Sequence, residues 1–188
     1  SSSTNNAQLP LAFDCSAPFT LLIGFRNIGG GGTKVPFSLQ PGSWGGWYSQ
    51  VDAGGVLSFI STNGTSFDGV CIPVPGVVAA DPVVYYYALT MGGTNDLRGS
   101  VNGGAVVLDS SCAFPTGLSG PNKTLDLGGV GADGGGQGTL YVVDLRIKYC
   151  AILDRAASNS ELLSLSSNPW QLFEPRQIII PSSAAAPS

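Results

Sequence analysis

The chain has 188 residues, of which 43% are hydrophobic and 11% charged, with a net charge of −4. That length suits one domain with its own core, and that composition is too apolar for a disordered chain. Its 8 Lys and Arg are scattered singly between Arg26 and Arg176, so no basic stripe is present to neutralise phosphates and no nucleic-acid partner is expected.

Apolar runs are short and broken by Gly, Pro, Asn and Asp. The longest, Val77 to Ala80, resumes after Asp81-Pro82 as Val83 to Leu89. None approaches the roughly 20 residues of a membrane span, so no membrane partner is expected.

The opening Ser1 to Asn6 has neither an initiator Met nor an apolar secretory core, and residues 1–12 read as a flexible N-terminal arm. Phe19 to Arg26 reads as a first long strand. The loop Gly29 to Gly32 follows. Val35 to Leu39, Trp44 to Val51 and Val56 to Ile60 predict a meander, with turns at Pro41-Gly42 and Ala53-Gly54-Gly55. Asn63-Gly64 is a hairpin signal leading into Phe67 to Ile72. Val83 to Thr90 and Leu97 to Val101 are strands, then a turn at Asn102-Gly103-Gly104 and a strand Ala105 to Asp109. Leu125 to Val130, a Gly-rich loop Gly131 to Gly138 and a long β segment Thr139 to Ile152 complete the series. The turns are too closely spaced for βαβ units.

One helix is predicted. Ser158-Asn159-Ser160-Glu161 is a capping-box pattern, Leu162, Leu163 and Leu165 supply an apolar face, and Asn168-Pro169 stops it. So short a helix survives only by docking on the sheets. Beyond it, Ile178 to Ile180 reads as an edge strand, with an arm lying on a neighbour as the alternative. The expected fold is all-β: a two-sheet antiparallel sandwich spanning residues 13–173 with one short C-terminal helix, followed by an extended arm at 174–188.

Three stretches resemble a known family. Tyr85 to Thr90 with Leu97 to Gly103 is similar to a hairpin of laminin-G-like, concanavalin-type jelly rolls. Val143 to Ile147 through Leu153-Asp154-Arg155-Ala156, then Ser160-Glu161-Leu162, resembles that family's closing strand and capped helix. The ending Leu165-Ser166-Ser167-Asn168-Pro169-Trp170-Gln171-Leu172-Phe173 resembles the close of small laminin-G-like proteins encoded by tailed bacteriophages and their prophages. Lys148-Tyr149-Cys150-Ala151 departs from the pattern and leaves the helix position open. The resemblance, over about residues 15–180, implies a jelly roll in which Ser158 and Glu161 cap the helix and Trp170 and Phe173 close the sandwich.

Catalysis is not expected. Retaining glycoside cleavage needs two carboxylates about 5 Å apart, but the two glutamates, Glu161 and Glu174, lie on the helix and the tail, and no acidic pair stands at strand spacing. The chain has no histidine, which excludes Ser-His-Asp and Cys-His arrangements. Trp44, Trp47 and Tyr48 share one Gly-rich segment and are the candidate carbohydrate-binding residues, since aromatic faces stack on pyranose rings. Ordinary core and turn residues are the plainer alternative, because Trp44 and Trp47 face opposite ways on a strand.

No cofactor is required. The family often holds calcium at the sandwich rim, where Asp133 with Asp96 or Asp126 would offer oxygen ligands, although solvated turn residues are the better explanation of these isolated acids. Gly29 to Gly32 and Gly134 to Gly136 precede no helix and are not phosphate cradles. Asn63-Gly64-Thr65 and Asn122-Lys123-Thr124 fit the glycosylation pattern and read as turns. Cys15, Cys71, Cys112 and Cys150 lie far apart without close metal-ligand spacing, and free thiols and disulfides are both open.

The functional expectation is a bacteriophage virion structural protein, a capsid decoration or tail-associated component located on the particle. It would pack against other virion proteins and self-associate, with a trimer as the first expectation. The alternative is a lectin-like adhesion module that recognises bacterial surface glycans.

Overall fold

The computed structural model describes residues 7–11, 17–27, 36–40, 45–51, 57–63, 67–70, 84–110, 123–127 and 145–174. These form two antiparallel sheets. The strands are β1 (Ala7–Leu11), β2 (Phe19–Asn27), β3 (Phe37–Gln40), β4 (Gly45–Val51), β5 (Leu57–Asn63), β6 (Phe67–Val70), β7 (Val84–Gly93), β8 (Asp96–Val101), β9 (Val107–Asp109), β10 (Lys123–Leu127) and β11 (Leu145–Leu153). One sheet runs β1-β10-β3-β4-β5-β6 and the other β11-β2-β7-β8-β9. Helix α1 spans Asn159–Ser167, and a 3-10 turn spans Pro169–Leu172. The architecture is the jelly-roll sandwich expected from the sequence, closed by one short helix.

The centre of the second sheet explains its stability. Phe19, Leu21, Ile23 and Phe25 on β2 lie opposite Met91, Leu89, Tyr87 and Tyr85 on β7, and all eight are buried. They form the inward row. The alternate residues Thr20, Leu22, Thr90 and Ala88 are also buried, because α1 covers that face. A strand covered on both sides has no reason to alternate, which is why Leu21-Leu22-Ile23 reads as a continuous apolar run, with Thr20 beside it buried on the helix side. Each large apolar side chain buried here contributes on the order of 1.5–3 kcal/mol. Helix α1 is too short to be stable alone, and it is held by Leu162 and Leu165 packed on Leu22, Ala88 and Ala157.

Two hydroxyl sets fix the helix in place. Thr20 Oγ1 donates to the Arg155 carbonyl at 2.7 Å and lies 2.8 Å from Thr90 Oγ1, and both oxygens accept from the Ala157 amide. Ser166, fully buried on α1, has its Oγ 2.8 Å from Ser100 Oγ and accepts from the Gly103 amide. Gly103 has φ +71°, and a β-carbon there would stand 2.8 Å from Ser167 Cβ. The turn therefore needs glycine both for its backbone and for its closeness to the helix. Beside it, Asn102 extends the β7–β8 ladder by exchanging hydrogen bonds with the Tyr86 backbone.

Two differences from the sequence expectation matter. Ala7–Leu11, placed in an N-terminal arm by composition, forms β1 and pairs along its length with β10. Pro10 is tolerated because β1 is an edge strand. In addition, the family departure at Lys148 coincides with a register shift between Ile147 and Tyr149. This β-bulge keeps Ile147 opposite Phe25 on the inward row and sets Tyr149 opposite Gly24 on the outward one. The predicted strand at Ile178 to Ile180, the loop Gly131 to Gly138 and the arm beyond Glu174 fall outside the described residues.

Candidate functional site: an aromatic ledge beside two arginines

The outward face of the β11-β2-β7 region divides into rows. The rows of Leu153, Thr20 and Thr90 and of Ala151, Leu22 and Ala88 lie beneath α1. Next comes Tyr149, Gly24 and Tyr86. With no side chain on Gly24, the Tyr149 ring lies across β2, and a β-carbon at position 24 would come within 2.6 Å of Tyr149 Cδ1 and 3.2 Å of Tyr86 Cδ1. The two tyrosine rings stand 6.2 Å apart, Tyr149 and Trp170 are 5.6 Å apart, and Trp170 and Phe173 are 6.1 Å apart. All three contacts are tilted, within the favoured range for aromatic pairs. Trp170 and Phe173 remain 46% and 62% exposed. A ledge of four rings thus begins half-buried on the sheet and ends in solvent.

Beyond this row, Arg26 on β2 lies directly opposite Arg146 on β11. Arg146 is exposed and Arg26 half-buried. Among the described residues the ion pairs are Arg98 with Asp96 and Arg155 with Glu161, so neither opposed arginine has an acidic partner there. Arg26 Nε is buried without a hydrogen-bond partner, as are the Tyr149 hydroxyl and Gln171 Nε2. Burial pushes the Tyr149 phenol above its ordinary range, with the neighbouring Tyr86 and Cys150 adding to the shift. It stays neutral and keeps its proton to donate.

The residues singled out by sequence are distributed differently. Trp44 and Asp133 lie outside the described residues. Trp47 and Tyr48 occupy successive positions of β4, paired with Leu39 and Ser61 and with Ser38 and Ile60 respectively, so their positions belong to opposite faces of the six-stranded sheet. Asp126 is on β10 in that same sheet, between Gln8 and Ser38. Asp96 is in the other sheet, with its carboxylate 2.7 Å from Arg98 Nε. Among the described residues no group of three His, Cys, Asp or Glu side chains is placed to hold a metal ion, and no helix is long and apolar enough to cross a membrane.

Ser158 and Glu161 form a complete capping box: Ser158 Oγ accepts from the Glu161 amide, and Glu161 Oε2 accepts from the Ser158 amide at 2.8 Å. Arg155 adds a two-pronged contact to both Glu161 oxygens, 2.6 and 3.1 Å long. Glu161 is therefore committed to the helix start, and Glu174 is exposed at the end of the described segment. Cys150 is a free thiol; the other three cysteines lie outside the described residues.

Sequence reasoning did not find Tyr86, Tyr149, Arg26 or Arg146 as a group. Each looks ordinary in its own strand, and only the β11–β2–β7 register makes them neighbours.

No protein-family profile and no curated protein matches the sequence. Solved structures share its fold. The carbohydrate-binding module CBM40 of the Ruminococcus gnavus IT-sialidase, bound to alpha2,6 sialyllactose, aligns with 88% of this chain and 100% of its own length at a TM-score of 0.58 and 14% identity. A SAP-like heptameric pentraxin from Limulus polyphemus aligns with 85% of this chain and 72% of its own at a TM-score of 0.62 and 16% identity. The leech intramolecular trans-sialidase aligns with 87% of this chain at a TM-score of 0.60 and 16% identity, and the chain spans only 27% of that enzyme. At these identities the likeness establishes the jelly-roll fold.

Proposed function

We propose that this chain is a non-catalytic carbohydrate-binding module. The observation that carries the reading is the match of 88% of the chain to a complete, separately solved sugar-binding module, one whose structure holds sialyllactose. The chemistry of the chain agrees. It has no histidine and two glutamates, one held by Arg155 and Ser158, while exposed aromatic rings of the kind that stack on sugars are present.

Glycan recognition is preferred to packing within a virion. The resemblance to phage-encoded proteins rests mainly on the segment Asn168 to Phe173, and the fold neighbours named above are a sugar-binding module, a pentraxin and part of a trans-sialidase. A glycan-binding protein displayed on a particle satisfies both readings. Self-association fits as well, since the pentraxin neighbour is a heptamer.

The test is a glycan array probed with the full chain, followed by incubation of any bound glycan with excess protein. The reading expects specific binding and an unaltered glycan. A blank array, or cleavage of the bound sugar, overturns it.

A further inference from the structure

We propose that the outward face of the β11-β2-β7 region binds a glycan with a carboxylate-bearing pyranose, the glycan lying along the ledge from Tyr149 to Phe173 and the carboxylate on Arg26 and Arg146. The proposal rests on the carbohydrate-binding reading and adds the place and the charge of the ligand.

The arginine pair is the first argument. Like charges directly opposite on neighbouring strands destabilise a sheet, and directly opposed side chains stand with β-carbons about 4.5–5.5 Å apart. The chain carries 12 Asp and Glu against 8 Lys and Arg, so acids are plentiful, yet these two arginines occupy directly opposed positions instead. A planar, two-oxygen anion resolves the repulsion, because guanidinium groups present paired N–H donors in a fork that matches a carboxylate. Arg146 is exposed and can offer such a fork to a ligand, and the half-buried Arg26 opposite it adds positive charge in a setting where a hydrogen bond to a charged acceptor is worth more than in open water.

The aromatic row is the second argument, and it is independent of the first. Arg26 is two residues from Gly24 along β2, about 6–7 Å at the usual strand rise, which sets the arginine pair next to the Tyr149–Tyr86 end of the ledge. Rings of Trp and Phe left partly exposed beside a charged group suit a ligand with an apolar face and a polar rim, and a pyranose has both. A purely apolar partner would cover the exposed Arg146 without a counter-charge.

Affinities of the full chain for alpha2,6 sialyllactose and for lactose, at low and high salt, test the assignment. Sialyllactose is expected to bind at least roughly tenfold tighter than lactose, and more weakly at high salt. Arg146→Gln is expected to erase that preference, and Phe173→Ala to weaken binding; both residues are exposed, so thermal unfolding should show the variants folded. In an isotope-labelled chain, sialyllactose should shift the amide signals of Arg146, Tyr149 and Trp170, a readout that needs no variant. If the chain binds glycans but prefers neutral ones, or if the shifts fall on β4 instead, this site is overturned and the carbohydrate-binding reading stands. A chain that binds no glycan overturns both.

Discussion

Tyr149 occupies the space a side chain on Gly24 would need. Its ring Cδ1 lies 2.6 Å from where a β-carbon at position 24 would stand, and that overlap joins the last strand to the seventh across the second. Gly24→Ala should therefore destabilise the fold. Relieving the overlap means moving an aromatic ring packed between Tyr86 and Trp170, at a cost of about 1–3 kcal/mol. That exceeds the roughly 0.4–1 kcal/mol a Gly→Ala change gains by restricting the unfolded chain. Thermal unfolding should show a drop of several degrees, and the same change in a Tyr149→Ala background should cost much less.

The Ala157 amide is held by two threonine hydroxyls. Thr20→Val or Thr90→Val alone leaves it one acceptor, whereas the double variant buries it with none. The pair should cost more than the sum of the single changes, by about 1–3 kcal/mol for the orphaned donor. Hydrogen exchange at Ala157 reads this directly. Protection should survive each single change and be lost in the double variant.

Glu161 links the helix start to pH. The hydrogen bond from Arg155, followed by that from the Ser158 backbone, lowers its carboxyl from the usual 4.5 to about 2. A carboxyl depressed in the folded state stabilises the fold above its unfolded value, and that contribution is lost as pH falls from about 4.5 towards about 2. Urea unfolding at several pH values should show stability declining across this window, less steeply in Glu161→Gln. The group is exposed, so added salt should shrink the difference.

Burial pushes the Cys150 thiol up to about 12, which leaves little thiolate at neutral pH to attack an alkylating reagent. Iodoacetamide should modify Cys150 slowly in the native protein and quickly in denaturant. Mass spectrometry of the peptide containing this residue distinguishes the two rates.

The sequence was most legible where local chemistry decides the structure. The strands β2 and β7 follow from their predominantly apolar residues, and α1 follows from Ser158, Glu161 and Pro169, whose effects act within one or two turns. Legibility failed where a distant partner decides. Ala7–Leu11 contains Pro10 and follows a Ser- and Asn-rich opening, so it reads as an arm, and only pairing with Lys123–Leu127 makes it a strand. The same limit hid the candidate site. Arg26 and Arg146 are separated by most of the chain, and the bulge at Lys148 that places Tyr149 on the outward row leaves no signature beyond a departure from the family pattern. Trp47 and Tyr48 were conspicuous because they are adjacent in sequence, yet β4 assigns them to opposite faces.

The order β11-β2-β7 sets synthesis against assembly. Phe19–Asn27 is made well before Leu145–Leu153, the strand that pairs along one of its flanks. Until that strand emerges, the nascent polypeptide carries an apolar segment with open N–H and C=O groups along that flank, a template for unwanted pairing with other chains. Closure through so long a loop is slow, and a product cut short before position 145 would retain that open flank permanently and should collect in insoluble material.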